Sequence, residues 1–290
     1  MPKIVVPLDG SHLAETALCR LWQLKGLGRQ EVVLVGVITD TDEAVQGLDA
    51  YTEKAQVLMA AYLHDTAKKL ELQADVTTQL RFGKADVEVR KVADSIGADF
   101  VLLTTHGRSG FERWSVGSVA DKIIRGADRP TLVIGPRAMK QEPLREIKRI
   151  LVPLDGSEVG EKAVSVGAQW AKALDASLHI VRVVSLAPLM ASDPLTGYYP
   201  AEMITAVEDA ASEYLKEIAG RPGLGTVKAS IMHGDAATEL TSYVEGNAID
   251  LVIMTSRGRG GAARTVLGST ADRMLHGPAP VLILPSTSSA

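Results

Sequence analysis

Five short apolar runs, separated by longer stretches with helical spacing, are written twice along this chain. In the first half Ile4–Leu8, Val32–Ile38, Phe100–Thr104 and Pro130–Ile134 are near-continuous runs of aliphatic and β-branched residues, and Asp75–Arg81 alternates more weakly. Between them Leu13–Lys25, Thr52–Leu72, Asp86–Ile96 and Gly117–Arg125 carry helical patterns; Ala55, Leu58, Met59, Tyr62 and Leu63 line one side of the second. The later half follows in step, with strands predicted at Ile150–Leu154, Leu178–Val184, Val227–Ile231, Leu251–Thr255 and Val281–Leu284. Ala201–Ile218 reads as an amphipathic helix lying on a sheet face. Continuous apolar strands alternating with helices imply a parallel sheet covered on both faces. The expected fold is α/β: two doubly wound five-stranded parallel-sheet domains in tandem.

The repeat is explicit in the residues. Ile4-Val-Val-Pro-Leu-Asp-Gly-Ser11 recurs as Ile150-Leu-Val-Pro-Leu-Asp-Gly-Ser157, an offset of 146 residues. Gly83, Gly117 and Ser118 recur as Gly234, Gly268 and Ser269, an offset of 151. The second copy has therefore gained five residues before the end of its third strand, and Ser185–Met203, with Pro188, Pro194, Gly197 and Pro200, is the expected place. A charged linker around Ala138–Lys148, containing Pro143, joins copies expected at about 1–138 and 148–290.

Composition narrows the function classes. At 46% apolar and 23% charged, the 290-residue chain matches ordinary globular proteins. Thirty-one basic against 35 acidic residues give a net charge of -4, which argues against a nucleic-acid partner. No apolar run approaches the ~20 residues of a membrane helix, and the mean hydropathy is +0.10. Met1-Pro2-Lys3 leads directly into Ile4, so no signal peptide is expected and the protein reads as cytoplasmic. The single cysteine, Cys19, sits between Leu18, Leu21 and Trp22 and is expected to be a small core side chain.

In doubly wound sheets ligands bind beyond the carboxyl ends of the strands, where the strand order reverses. The loop after the first strand carries Asp9-Gly-Ser11, and Asp155-Gly-Ser157 in the second copy. Ser or Asp there can cap the following helix; the alternative is a carboxylate facing a ribose hydroxyl or a metal ion. The loop after the fourth strand places nine residues between Gly107 and Gly117-Ser118, and nine between Gly258 and Gly268-Ser269. Glycine lets backbone amides approach an anion, and a helix start favours negative charge. Arg108, Arg113, Arg259 and Arg264 add positive charge nearby, and the Ser118 hydroxyl can either donate to a phosphate oxygen or cap its helix.

These motifs together resemble the universal stress protein family, here as two domains in one polypeptide. The resemblance rests on V-P-x-D-G-S, the five-strand alternation and a G-x2-G-x9-G-[S/T] signature, and it covers nearly the whole chain. It implies a Rossmann-like fold and adenine-nucleotide binding: ATP with Mg2+ or Mn2+, phosphates on the Gly-rich loop, the early Asp near ribose and metal, and second-strand backbone on the adenine. The residues implied are Asp9, Val37, Thr104, Gly107, Arg108, Gly117, Ser118 and Val119 in the first half. In the second they are Asp155, Val183, Thr255, Gly258, Arg259, Gly268, Ser269 and Thr270. The resemblance also implies that Thr131–Ile134 and Val281–Leu284 pair as an intrachain pseudo-dimer, and it is compatible with a homodimer. Thr104 and Thr255 depart from the signature's first glycine: costly if that position needs positive φ, harmless if it needs only a compact residue at a strand end.

The function this implies is an ATP-binding stress-response protein acting through nucleotide-dependent conformation, with little or no hydrolysis. Two alternatives stay open, an interaction module without nucleotide and a slow ATP hydrolase. Gly258-Arg-Gly260-Gly-Ala-Ala263 fits a dinucleotide fingerprint but follows the fourth strand, not the first. Gly107-Arg-Ser109-Gly110 is one residue short of a hydrolase elbow. The six histidines lack metal-ligand spacing, and His106 is matched by Arg257.

Overall fold

A computed structural model describes residues 1–39, 48–71, 74–105, 116–126, 128–140, 144–185, 201–258 and 267–286. They form two compact units, Met1–Leu144 and Arg145–Ser286. In the first, β1 (Lys3–Leu8), β2 (Glu31–Ile38), β3 (Asp75–Phe82), β4 (Phe100–Thr104) and β5 (Thr131–Ile134) lie in the order β3-β2-β1-β4-β5. The second repeats this with β6 (Arg149–Leu154), β7 (Ser177–Val184), β8 (Val227–His233), β9 (Leu251–Thr255) and β10 (Val281–Leu284), ordered β8-β7-β6-β9-β10. Pairing within each unit is parallel throughout. The order reverses between β1 and β4, and between β6 and β9.

At that reversal the sheet forks, and a proline explains why. β1 and β4 pair only at Ile4↔Phe100 and Val5↔Val101, and β6 and β9 only at Ile150↔Leu251 and Leu151↔Val252. Pro2 O accepts from Glu31 N at the start of β2, whereas Lys3 O accepts from Asp99 N beside β4. Successive residues face opposite neighbours in this way, so positions 5 and 7 face β4. Position 7 is proline, which has no N–H to give. Arg149 O accepts from Asp250 N in the same manner, which sets Pro153 facing β9. A proline thus sits in a central strand without cost to the β1–β2 ladder, which continues to Leu8↔Gly36.

The core lies on both sheet faces. Ile4, Val5, Val6, Leu34 and Leu102 in the first unit, and Ile150, Leu151, Ile180 and Ile253 in the second, are fully buried. Helix Glu158–Leu174 approaches its sheet closely through Gly167, where an added Cβ would stand 2.7 Å from Val152 Cγ2. The weak alternation of Asp75–Arg81 has a simple cause, since β3 is the outer strand and most of its side chains are partly or fully exposed.

The helix predicted at Leu13–Lys25 differs from the structure. A short α-helix, His12–Glu15, gives way to a 3-10 segment at Leu18–Leu27. Thr16 Oγ1 donates to Leu13 O at 2.6 Å, and Thr16 N bonds the same carbonyl at 3.2 Å, which tightens the turn to i,i+3 spacing. Three residues per turn stack Leu18, Leu21 and Leu24 as a buried row and put Cys19, Trp22 and Lys25 in the next. Cys19 is therefore exposed, not the core side chain that α-helical spacing predicts. The start of the expected linker is folded: Ala138, in helix Pro136–Met139, is buried and accepts a hydrogen bond from Arg20 Nη2. Pro143 and most of the expected insertion lie outside the described residues.

Candidate functional site

Both copies of Asp-Gly-Ser fold alike. Gly10 and Gly156 take φ of 82° and 79°, a turn that glycine adopts without strain. Serine is the cap: Ser11 Oγ accepts from Ala14 N, and Ser157 Oγ from Gly160 N, each at 3.1 Å. The aspartate instead accepts the serine's own amide, at 2.9 Å for Ser11 N to Asp9 Oδ1 and 3.0 Å for Ser157 N to Asp155 Oδ1. Capping thus falls to the serine, and the carboxylate is held at the mouth of the fork.

In the first unit Asp9 opens onto a cleft of about 330 Å3. Val37, Thr104, Gly117, Ser118 and Val119 line the same cleft, so residues from the first, second and fourth strand ends and one helix start converge. Sequence reasoning missed its apolar wall, Met59, Ala85 and Val89. Val119 is 43% exposed, so apolar surface is on offer there. Asp9 is the only ionisable side chain among the described lining residues.

Gly117 is fixed by the end of β4. Its N–H donates to Thr105 O at 2.7 Å, and a Cβ on residue 117 would lie 2.9 Å from that oxygen. Gly117 occupies the cap position of helix Ser118–Arg125 and has no side chain to close it. Ser118 is therefore the first helical residue, and its exposed hydroxyl does not cap the helix, one of the two roles open to it from sequence. The first-turn amides that a capping side chain would have taken remain at the cleft. Gly268 repeats the arrangement more loosely before helix Ser269–Leu275, bonding Ser256 O at 2.9 Å with a Cβ position 3.4 Å from it; Thr270 lies in that first turn.

Thr104 and Thr255 end β4 and β9 and are buried. Among the described residues the non-glycines at positive φ are Asp175 and Ala248, so neither threonine is strained. The position asks for a compact strand end, and the Thr255 hydroxyl donates to Arg257 O at 2.6 Å. In the second unit Gly258 packs directly on Asp155: a Cβ on residue 258 would meet the Asp155 carboxylate, with Cγ at 2.8 Å. Val183 pairs with Met232 near the end of β7, as Val37 pairs with Arg81 in β2. Gly107, Arg108, Arg113, Arg259 and Arg264 lie outside the described residues.

Two tyrosine hydroxyls, Tyr62 and Tyr214, are buried beside a carboxylate in each half. Burial and then the Glu15 carboxylate push the Tyr62 hydroxyl well above its ordinary pKa, with Asp9 adding to the effect. Burial and Glu161 do the same to Tyr214; there Arg182 opposes and Asp155 adds. The shared 146-residue offset of Glu15 and Glu161 was visible in the sequence. Among the described residues no group of three or more His, Cys, Asp or Glu is placed to hold a metal, and no helix is long and apolar enough to cross a membrane.

Comparison with known proteins identifies the family. A universal stress protein of Methanocaldococcus jannaschii is 29% identical over 140 residues, 47% of this chain and 81% of its own length. A second from the same organism is 27% identical over 151 residues, 46% of this chain and 93% of its own. The crystal structure of a universal stress protein from Archaeoglobus fulgidus superposes with a TM-score of 0.72 at 20% identity, covering 98% of each chain, which speaks to the fold alone. The profile of the universal stress protein family matches residues 1–135 and again 146–285, and the chain belongs to that family, with two of its domains in tandem.

Proposed function

We propose that each half binds ATP beyond the carboxyl ends of its strands, and that the protein serves stress response through the conformation that bound nucleotide stabilises. The observation that carries this reading is the first-unit cleft, where Asp9, Val37 and the Gly117–Val119 helix start surround about 330 Å3. That volume falls within the range of roughly 300–1,000 Å3 for small-molecule pockets. Its apolar wall suits a base, and uncapped helix amides suit phosphate. In this reading the protein works in the cytoplasm, where ATP is abundant.

Magnesium is usually held by one or two carboxylates together with substrate phosphates. A cleft with one described carboxylate fits that chemistry. Asp9, and Asp155 in the second half, would hold Mg2+ or Mn2+, and the ion would neutralise phosphate charge. Hydrolysis asks for more, a residue that positions water or takes its proton. In this reading the nucleotide is bound and turned over slowly at most. Bound nucleotide then acts only as far as its affinity differs between two states.

Mass spectrometry of the acid extract of purified protein should release ATP. Gly117→Trp and Gly268→Trp together should empty it while the circular dichroism spectrum is retained. Unchanged nucleotide content in that variant refutes the loop assignment. Absence of ATP, with no calorimetric heat for ATP, ADP or AMP, favours the interaction module.

A further inference from the structure

β3 has a strand beside it on one side only. Asp75 N donates to Gln30 O and Gly83 N to Ile38 O, so residues 75, 77, 79, 81 and 83 turn their backbone groups to β2. Val76, Thr78, Leu80 and Phe82 turn theirs the other way, where no strand lies among the described residues. An open edge of this length is a template for another strand unless lysine, proline or a bulge interrupts it. Asp75–Phe82 contains no lysine, proline or glycine, and its pairing with β2 runs unbroken. Thr78 and Phe82 are exposed, Phe82 to 46%.

The strand is complementary to itself when reversed. Turned antiparallel about Thr78, it sets Asp75 opposite the partner's Arg81, Val76 opposite the partner's Leu80 and Thr78 opposite the partner's Thr78. Residues 76, 78 and 80, whose backbone groups point away from β2, become the hydrogen-bonded pairs of the new ladder. Opposite charges, aliphatic pairs and facing threonines are each favourable across strands. The charges are available for this. Arg81 Nη2 donates to Gln79 Oε1 at 2.7 Å, and Arg81 has no carboxylate partner among the described residues. Asp75 accepts from Arg29 Nε at 2.9 Å in an exposed pair, and a carboxylate keeps lone pairs for a second guanidinium. Leu80 pairs with Gly36, which faces Met59 and Leu63, so Val76 and Leu80 lie on the side of helix Leu48–Leu70. Val57 of that helix is 68% exposed, further apolar surface on this side of the sheet.

The outer strand of the second unit keeps the aliphatic pair, as Val227 and Ile231, but not the charges. At the steps of Asp75, Arg81 and Phe82 stand Thr226, Met232 and His233, and His233 Nε2 lies 2.8 Å from Glu208 Oε1. Lys228 adds the residue that commonly protects an edge. We propose that β3 is the contact of a two-fold dimer, in which two copies of this chain join their sheets antiparallel about Thr78 through two Asp75–Arg81 ion pairs. An isologous contact of this kind uses up both β3 edges and closes at two copies.

Sedimentation of the full chain tests this. At micromolar concentration the parent should sediment at twice 30.8 kDa. Asp75→Arg and Arg81→Asp should each weaken association about a hundredfold, because two attractive pairs per dimer become repulsive. An equimolar mixture of these two variants should regain the parent's association, since each chain then meets opposite charge at both ends of the strand. Thr78→Pro removes an N–H that points away from β2 and should abolish the dimer with the circular dichroism spectrum retained; it decides the matter if a charge variant fails to fold. Ala229→Pro, at the same step of β8, should leave the dimer intact. A monomeric parent, a Thr78→Pro or charge variant that associates like the parent, or a mixture that stays apart overturns the proposal. Assemblies larger than a dimer that Ala229→Pro disperses would set β8 against β3 and overturn it as well.

Discussion

A single added methyl at residue 117 should separate the two halves energetically. The Cβ of Gly117→Ala would stand 2.9 Å from Thr105 O, several tenths of an ångström inside ordinary contact. That oxygen cannot yield easily, because Thr105 is fully buried and its own amide donates to Ile134 O at 3.1 Å. The helix start must move instead, lengthening the 2.7 Å bond from Gly117 N. Overpacking of this kind costs about 1–3 kcal/mol, and alanine is a poorer cap than glycine by roughly a further 0.5 kcal/mol. At Gly268 the corresponding approach is 3.4 Å, ordinary contact, which leaves the cap contribution alone. With roughly 3 °C per kcal/mol for domains of this size, Gly117→Ala should melt several degrees lower and Gly268→Ala within about 2 °C of the parent. Differential scanning calorimetry reads both, and dialysis should show the first variant losing affinity at its own site only. Equal melting points for the two variants would refute the argument that β4 clamps the helix start.

Three other outcomes follow from the structure. His179 is buried beside Tyr243, its Nδ1 3.0 Å from the phenol oxygen, and burial, then Lys228 and Arg149, lower its pKa. The unfolded chain then binds the proton more readily, so stability is full above the ordinary histidine range and falls as pH drops through it; urea midpoints from pH 7.5 to 5 should decline less steeply in His179→Gln. Cys19 should react with a thiol reagent in the native protein at a rate near that of a free cysteine, and reaction only after denaturation would contradict its exposed place in the 3-10 row. Ser157→Ala removes a cap and the 2.6 Å hydrogen bond to Asp155, and should destabilise by about 1 kcal/mol in chemical denaturation.

The fold was legible because its signals are periodic and local. β1, β4 and β9 are buried on both faces, so unbroken apolar runs marked them. Asp9 and Gly117 could be singled out because their spacing is duplicated, but the reason for Gly117, a backbone carbonyl beneath it, exists only in three dimensions. The apolar wall of Met59, Ala85 and Val89 was hidden because each reads as an ordinary helix residue; only the crossing of strands and helices brings them to one cleft. Cys19 was misplaced because a threonine hydroxyl changed the helical period, a local competition invisible to a pattern of apolar positions.

The fork at Pro7 and Pro153 carries a mechanical consequence. Each sheet is two leaves, one of three strands and one of two, stitched by only two residue pairs at their amino ends. Prising the leaves apart at the carboxyl ends breaks no ladder, because proline never closed it there, so this seam is the most yielding line in an otherwise rigid layer. A molecule wedged in that notch grips both leaves and supplies cohesion the main chain lacks, which makes the stiffness of the sheet itself a record of occupancy.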